Sequence, residues 1–348
     1  MKKRRRIAGC EEKCVIIMGE NTPVTIQSES RFKKLVKAYK LELGMAAILI
    51  VMYIILHFIT GTALKGSNIR NVLQASAPLL IMTMGQLVVV ITGGIDLSVG
   101  SLYSLSGMCG VLVMLRTESI AAGVFTALGV GILCGLINGV LVAKVKMAPF
   151  IVTLAMQGAA ASLTKIIAGG NSQTVTLQAF KAFNRGEMIP GVRNYMVYMV
   201  IIVIVMYLLL RKTLFGRWIY ATGSNEEASR LVGIPVDRVK IICYTMSGFL
   251  SSVAALLGAS RLMNVEVTSG VGMELDAIAA ACIGGASLSG GLGTAFGALV
   301  GTLLQKGINN GINLLGINSF WTGTVTGIVI IVSVYVGMVA GKNSKKRK

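Results

Sequence analysis

The chain has 348 residues, of which 54% are hydrophobic and 14% are charged, with a mean hydropathy of +0.75. This apolar content exceeds what a water-soluble domain needs, so it excludes a soluble globular protein. The net charge of +19 would suit nucleic acid, but the basic residues lie in short runs between or beyond apolar stretches. That pattern is a topology signal, so we predict an all-α polytopic membrane protein that binds no nucleic acid.

The chain begins with a polar, basic tail over residues 1–40 and ends with a basic tail over 342–348. Residues 33–40 fit either a short amphipathic helix at the membrane surface or part of a solvated tail, and we favour the tail. The first basic run lacks the apolar region of a cleavable signal, so the spans themselves direct insertion. Cys10 and Cys14 resemble half of a zinc site without a second Cys/His pair, and we predict no metal and no cofactor.

Residues 41–341 form the predicted transmembrane domain, because apolar runs of about 18 to 22 residues are typical of membrane-spanning helices. The predicted spans are 43–60, 72–92, 97–115, 120–143, 149–168, 195–210, 241–260, 274–285, 294–309 and 320–340. Ten spans place both basic termini on one side, which the positive-inside rule assigns to the cytoplasm. The spans that flank the two Gly-rich breaks also fit re-entrant pieces. The fourth span is rich in glycine, which predicts close helix packing.

The first Gly-rich break carries Asp96 within T-G-G-I-D-L-S-V-G-S, between two apolar spans. An acid at the bilayer centre costs roughly 2.5 to 3.5 kcal/mol, so Asp96 is expected to face a cavity or a protein partner. The alternative is that Asp96 caps the next helix at a tight cytoplasmic turn, and both can hold together. The other candidate pathway residues share a small side chain or a hydroxyl group: Gly93, Gly94, Ser98, Gly100 and Ser101.

A second Gly-rich break, G-G-A-S-L-S-G-G from Gly284, resembles G-G-I-D-L-S-V-G from Gly93. If the two breaks belong to a parallel internal repeat, Ser287 occupies the position that matches Asp96, and a transport pathway would lie at the repeat interface. The alternative is a coincidence of low-complexity Gly/Ser sequence.

Residues 212–240 form the only long polar segment between spans on the predicted cytoplasmic side, and they hold the signals of one short capped helix. These signals are, in chain order, a cap at Ser224 or Asn225, acids at Glu226 and Glu227, and an exit at Gly233 and Pro235. Ala228, Leu231 and Val232 leave an apolar edge that no span covers. The segment either connects two spans or docks on a partner, and the uncovered edge favours docking.

The sequence contains no G-x-x-x-x-G-K-[ST] phosphate loop and no dinucleotide fingerprint after a strand pattern. Any ATP chemistry must therefore come from another chain. The ionisable groups within apolar sequence are few, Asp96, Glu274 and Asp276, which disfavours an ion-driven secondary carrier. No nucleophile or metal cluster supports a membrane enzyme, so we predict no catalytic residues.

Three motifs in the same order resemble the permease subunits of bacterial ABC importers for ribose, xylose and galactose, over about residues 40–341. They are T-G-G-I-D-L-S-V-G-S, G-S-N-E-E-A-S-R-L-V-G-I and E-L-D-A-I-A-A-A-C-I-G-G-A-S-L-S-G-G. The resemblance implies a multi-pass permease of the cytoplasmic membrane, paired with a second copy or a paralogue. It also implies ATP-binding subunits on the cytoplasmic face and an extracytoplasmic sugar-binding protein.

The family docks its cytoplasmic loop helix on the ATPase, and the resemblance maps that helix to residues 225–233. The implied coupling residues are Asn225, Glu226, Glu227, Arg230 and Gly233. Residues 1–30 differ from the family's usually short start. The expected activity is inward transport of a monosaccharide by alternating access, with nucleosides, the furanosyl autoinducer or branched-chain amino acids as alternative substrates.

Overall fold

The structure is a computed structural model that describes residues 40–329, 331, 332 and 335. The helices are α1 (Lys40–Thr60), α2 (Gly66–Ile91), α3 (Val99–Thr117), α4 (Ile120–Ala143), α5 (Pro149–Ala168), α6 (Lys181–Arg185), α7 (Asn194–Lys212), α8 (Leu214–Ser224), α9 (Glu226–Leu231), α10 (Val236–Leu262), α11 (Met273–Ile283) and α12 (Ala295–Leu314). Two short strands, β1 (Gln173–Thr174) and β2 (Asn264–Val265), and a helical stretch over 321–329 complete the described elements. Residues 1–39 of the predicted N-terminal tail 1–40, and the predicted C-terminal tail 342–348, lie outside the described residues.

Seven of the described helices are long and apolar enough to cross a membrane: α1, α2, α3, α4, α5, α7 and α10. This confirms the predicted all-α polytopic architecture. The predicted count of ten is not confirmed, because α11 has only 11 residues and α12 is not among the seven. The tenth predicted span, 320–340, is only partly described.

Three helices form the centre of the bundle. In the most apolar stretch of each helix, the buried share is 89% in α2, 72% in α3 and 67% in α10. The corresponding share is 11% in α1, 22% in α4 and in α5, and 28% in α7. Because the exposed side chains of α1 and α7 are mostly isoleucine, valine, leucine and phenylalanine, these peripheral helices present a surface suited to lipid.

The glycine face of α4 packs directly on α10. Gly131 lies against the carbonyl oxygen of Gly248, and a Cβ atom at Gly135 would lie 2.5 Å from the carbonyl oxygen of Tyr244. A Cβ at Gly139 would lie 2.8 Å from the Cα of Ile241. Larger side chains would separate the two backbones, so the predicted role of these small residues in close packing is confirmed.

The bundle has two ends that the connections define. We call the end with residues 92–98, 144–148 and 213–235 the inner end, and the end with 118–119 and 169–193 the outer end. At the outer end, β1 pairs antiparallel with β2, with Gln173 opposite Val265. The segment 169–193 between α5 and α7 therefore carries structure of its own.

The helix α11 is a half-length element, so the predicted span 274–285 is wrong as a full crossing. Its 11 residues rise only about 16 Å, against about 30 Å of hydrocarbon. It begins beside Gln157, in the middle of α5, and ends at the inner end, where Gly284 lies against Gly297. The chain after β2 first descends to that depth without helix. The chain still passes from the outer to the inner end, as a non-helical descent followed by α11, so neither a full helical span nor a re-entrant piece describes this stretch.

Candidate substrate pathway and coupling site

The first break begins where α2 ends in a left-handed glycine. Gly93 has a φ of 81°, its N–H donates to the Val90 carbonyl at 2.9 Å, and the Gly94 N–H donates to the Val89 carbonyl at 3.1 Å. This pair of bonds is the Schellman motif, which a residue with a Cβ atom adopts only with strain. The chain then turns toward Asp96 inside the bundle.

Asp96 is fully buried, and its carboxylate accepts hydrogen bonds from protein groups. Its Oδ1 accepts hydrogen bonds from the Ser98 N–H at 3.0 Å and the Ser98 hydroxyl at 2.6 Å, and its Oδ2 accepts one from the Ser247 hydroxyl at 2.9 Å. Ser247 lies on α10, 151 residues away in sequence. The carboxylate therefore joins the first break to α10, one of the three central helices, and faces neither lipid nor an opening.

Other buried polar side chains tie the same segment to three more helices. The Asn138 amide on α4 donates to the Ser98 hydroxyl at 2.9 Å, and the Thr153 hydroxyl on α5 donates to the Ile95 carbonyl at 3.3 Å. The Gln86 amide on α2, oriented to pair with the Asp96 backbone, lies 3.0 Å from its carbonyl oxygen and 3.2 Å from its nitrogen. Irregular backbone at this depth needs such partners, and here the protein supplies them.

The structure separates the candidate residues around Asp96 into two groups. Ser98 bonds the carboxylate directly, whereas Ser101 makes no hydrogen bond to it within the described residues. Asp96 also does not cap α3, which begins at Val99 after Ser98 without a side-chain cap. Gly94 packs closely on the hydroxyl group of Tyr244, and Gly100 packs on Glu274 and the Gly270 carbonyl.

The second break repeats the geometry of the first with an offset of one residue. Gly285 has a φ of 87° and donates to the Cys282 carbonyl at 2.9 Å, and the Ala286 N–H donates to the Ala281 carbonyl at 3.0 Å. The Ser287 hydroxyl accepts from the Ser289 N–H at 3.3 Å, as Asp96 accepts from Ser98. If the two left-handed glycines, Gly93 and Gly285, are aligned, Asp96 corresponds to Leu288. If the side-chain hydrogen bonds are aligned instead, Asp96 corresponds to Ser287.

The three acids in apolar sequence lie at separate places. The Glu274 Oε1 accepts a hydrogen bond from the Gln157 amide at 3.0 Å. Asp276 accepts one from the Gln305 amide at 3.1 Å and has Lys306 at 3.5 Å on its other oxygen. Among the residues that the structure describes, no three His, Cys, Asp or Glu side chains group in a way that suits a metal ion. Cys10 and Cys14 lie outside that part of the chain.

The predicted short helix is present as α9 and is held by its own ends. The Asn225 side chain caps it by accepting from the Ala228 N–H at 2.9 Å, and Gly233 has a φ of 83° after its last turn. Leu231 and Val232 are 88% and 75% exposed. The apolar edge therefore projects from the inner end with no cover from the described chain.

The segment 212–240 contains two helices rather than one, and α10 begins five residues before the predicted Ile241. The helix α10 begins at Val236, directly after Pro235, and Arg230 pairs with Asp237 in its first turn. Because this ion pair places polar residues at the start of α10, hydropathy alone locates the helix start too late. Lys240 also pairs with Glu226 at 2.6 Å. Both ion pairs fix α9 to α10.

The Glu226 carboxylate pairs with both Lys240 and Arg230. Partial burial raises the pKa of Glu226, but hydrogen bonds from Lys240 and Arg230 outweigh that effect and lower the pKa below its usual value. The group is therefore ionised at neutral pH. Acids in the first turn of α9 also interact favourably with the positive end of the helix dipole. Glu227 makes no such pair with the residues that the structure describes, and its side chain is exposed.

The end of α8 contacts both Gly-rich breaks, and these contacts were not predicted from the sequence. Gly223 packs against the carbonyl oxygen of Ile91 and against Gly290, and the Tyr220 hydroxyl donates to the Gly293 carbonyl at 2.6 Å. The breaks also touch each other, because the Gly291 N–H donates to the Ile91 carbonyl at 2.8 Å. The segment that carries α9 therefore lies directly against both broken helix ends.

A cavity of about 290 Å³ separates α9 from the first break. Its polar lining includes Thr92, Gly93 and Gly94 on one side and Asn225, Glu226 and Lys240 on the other. The Thr222 hydroxyl is buried there, and no group in the described part of the chain makes a hydrogen bond to it. The space leaves the inner end of α2 free of tight packing on the side that faces α9.

The fold and these sites define a membrane-embedded transport subunit: broken helices inside a polytopic bundle, and a capped helix that projects from one end. The chain belongs to the family described as the permease component of the branched-chain amino acid transport system, whose model matches residues 68–334. Members of this family are the non-enzymatic membrane subunits of ABC transporters, and a separate subunit hydrolyses ATP.

The relatives include three permeases that the chain matches over nearly their whole length. It is 43% identical to the probable ABC transporter permease protein y4mJ of Sinorhizobium fredii, over 93% of this chain and 96% of the relative. It is 36% identical to the ribose import permease protein RbsC of Escherichia coli, over 90% of this chain and 98% of the relative. It is 40% identical to the ribose import permease protein RbsC of Bacillus subtilis, over 84% of this chain and 91% of the relative.

Proposed function

We propose that the protein is the permease of an ABC importer for a monosaccharide of the ribose type, which it moves inward by alternating access. The substrate class is supported by the relatives named for ribose, and by others named for fructose and L-arabinose import. The family description names branched-chain amino acids, which therefore form the second candidate. The structure supports the transport mechanism through one observation: α8 and α9 form one unit that contacts both broken helix ends.

The mechanism follows from those contacts. An ATPase that binds α9 moves α8 with it, because only Asn225 separates the two helices. Movement of α8 displaces Gly223 from Ile91 and Tyr220 from Gly293, and so acts on both breaks at once. The cavity between α9 and the first break gives this displacement room.

The assembly implied by the family has an ATPase partner and a substrate-binding protein. We propose that a second permease, a copy or a paralogue, completes the pathway, and that both termini lie in the cytoplasm. The N-terminal tail 1–40, the transmembrane domain 41–341 with its coupling loop 212–240, and the C-terminal tail 342–348 are the proposed divisions. The basic runs at both termini and along 211–217 support this orientation in a bacterial cytoplasmic membrane.

Uptake of labelled sugar tests the substrate class. The permease, co-expressed with the ATPase and binding protein of its own system in cells without ribose uptake, is expected to accumulate labelled D-ribose. Unlabelled fructose and L-arabinose measure the range of sugars accepted, and leucine measures the second candidate. Uptake of leucine with none of the three sugars would replace the sugar assignment with the amino-acid one.

Charge reversal on α9 tests the docking surface. Glu227→Lys replaces an acid in the first turn of α9 with a cation, which is unfavourable both for the helix dipole and for a partner that docks against an acid. We expect about threefold to tenfold less ATPase co-purified with the permease. Leu231→Ala is expected to act in the same direction, because it removes the most exposed apolar side chain of the edge. The measurement is the ratio of ATPase to permease after detergent extraction.

Glu266→Lys is the matched control for Glu227→Lys. It reverses an exposed acid near β2, at the outer end, and is expected to leave the ATPase ratio at the parental value. A parental ratio in both Glu227→Lys and Leu231→Ala would remove the docking assignment, whereas equal losses in all three variants would indicate a general defect of assembly.

A further inference from the structure

A polar pair lies halfway along the bundle, apart from Asp96. The Gln157 amide nitrogen on α5 donates to Glu274 Oε1 at 3.0 Å, while the Gln157 carbonyl oxygen accepts no hydrogen bond from the described residues. Glu274 is 6% exposed, and its second oxygen is buried beside Gly100 without a hydrogen-bond partner among the described residues. A buried acceptor without a partner is costly, so this arrangement calls for an explanation beyond packing.

The surface of α5 beside this pair differs from the lipid-type surfaces elsewhere. In its middle, the exposed positions between Leu154 and Leu163 all carry small residues: Ala155, Gly158, Ala159 and Ser162. Over a similar length, α4 exposes Ile132, Leu133, Leu136, Ile137 and Val140. Small residues leave room where bulky ones would fill it, so this part of α5 suits a passing solute better than lipid chains.

The start of α11 lies beside this surface of α5, because Glu274 in its first turn bonds Gln157. Gly272 precedes α11 with a φ of 84°, and Val271 and Leu275 on either side of this start are 73% and 49% exposed. A helix that begins at mid-depth is the kind of element around which transporters build substrate sites. The Gln157–Glu274 bond joins this start to the middle of α5.

We infer that Gln157 contacts the sugar during its passage and that Glu274 is the positioning residue that fixes the Gln157 amide. This inference rests on the proposed sugar-transport function. The amide carbonyl accepts a hydrogen bond from one sugar hydroxyl, and the remaining amide hydrogen donates to a neighbouring hydroxyl oxygen. One such contact holds the sugar weakly, which a transport pathway needs because tight binding would slow release.

The experiment replaces the amide and, separately, the whole pair. Uptake of D-ribose from saturating loaded binding protein is measured per assembled complex in proteoliposomes that contain the permease and its ATPase. Gln157→Leu is expected to reduce uptake about tenfold, the effect of one lost hydrogen bond that leaves its partner unpaired. Gln157→Asn, which keeps an amide, is expected to retain more uptake than Gln157→Leu.

The double variant Gln157→Leu/Glu274→Leu separates a sugar contact from a structural bond. If the pair only holds α5 to α11, replacing both partners with apolar side chains removes the unpaired carboxylate and restores uptake. If Gln157 contacts the sugar, the double variant stays as low as Gln157→Leu. Restored uptake in the double variant, or parental uptake in Gln157→Leu, would overturn the inference.

Gln305→Leu is the matched control, because Gln305 is also a membrane-embedded amide bonded to an acid of α11, Asp276, at 3.1 Å. Gln305 is a residue of α12 and joins that helix to α11, so its loss is expected to lower the amount of assembled complex but not the uptake per complex. A parent complex that takes up leucine but no ribose, fructose or L-arabinose would instead overturn the proposed substrate class. The inference would fall with it.

Discussion

Replacing Asp96 with alanine is expected to reduce the amount of assembled permease in the membrane by about tenfold or more. The change removes the acceptor for three hydrogen bonds, two from Ser98 and one from Ser247, all in a fully buried site. Each buried donor left without a partner costs roughly 1 to 3 kcal/mol, and about 1.4 kcal/mol corresponds to a factor of ten. The measurement is the yield of monodisperse permease after mild detergent extraction, with uptake per assembled complex.

Asp96→Asn is the matched control for that change. Its amide oxygen still accepts the two bonds from Ser98, and its amide nitrogen donates to the Ser247 hydroxyl, which also accepts. We therefore expect near-parental assembly and uptake for Asp96→Asn, and an intermediate yield for Ser247→Ala. If Asp96→Asn assembled normally but did not transport, the charge itself would act in transport and the anchor role would be wrong. If Asp96→Ala matched the parent, both roles would be excluded.

The sequence predicts the first break well where the contacts are local. The Gly-rich break, Asp96 and the nearby Ser98 were predicted from one short stretch, and the bond between Asp96 and Ser98 and the left-handed end of α2 involve these same local residues. Ser247 and Asn138 were not predicted. Each belongs to another helix, and a lone polar residue in an apolar span gives no signal of which neighbour it bonds.

The same distinction holds for the second half of the chain. The cap at Asn225, the exposed Leu231 and the exit at Gly233 follow from residues within one short segment, and the sequence predicts them all. The mid-depth start of α11 is visible in the sequence only as a shortage of apolar residues, which also fits a short span. The contact of Gly223 with Ile91 joins segments 132 residues apart, and no periodicity encodes it.

Replacing Gly223 with alanine is expected to abolish most transport while leaving the permease assembled. Alanine favours a helix over glycine by about 1 kcal/mol, so helix propensity alone would stabilise α8. The added Cβ would instead meet the Ile91 carbonyl and would lie 2.7 Å from the Gly291 nitrogen. The end of α8 must then move away from both breaks. We expect at least a tenfold loss of uptake per ATP hydrolysed, because α9 still docks while its movement no longer reaches the broken helices.

Two variants make the Gly223→Ala result specific. Gly129→Ala adds a Cβ to an exposed position of α4 with no atom within 4 Å, so parental coupling is expected there. Tyr220→Phe removes the hydroxyl that donates to the Gly293 carbonyl and should reduce coupling about twofold to tenfold, the range for one hydrogen bond. Uptake and ATP hydrolysis are measured in the same proteoliposomes, so their ratio reports coupling independently of how much complex is present. A parental ratio in Gly223→Ala would show that contact between α8 and the breaks does not carry the movement, and the route from α9 to the pathway would have to lie elsewhere.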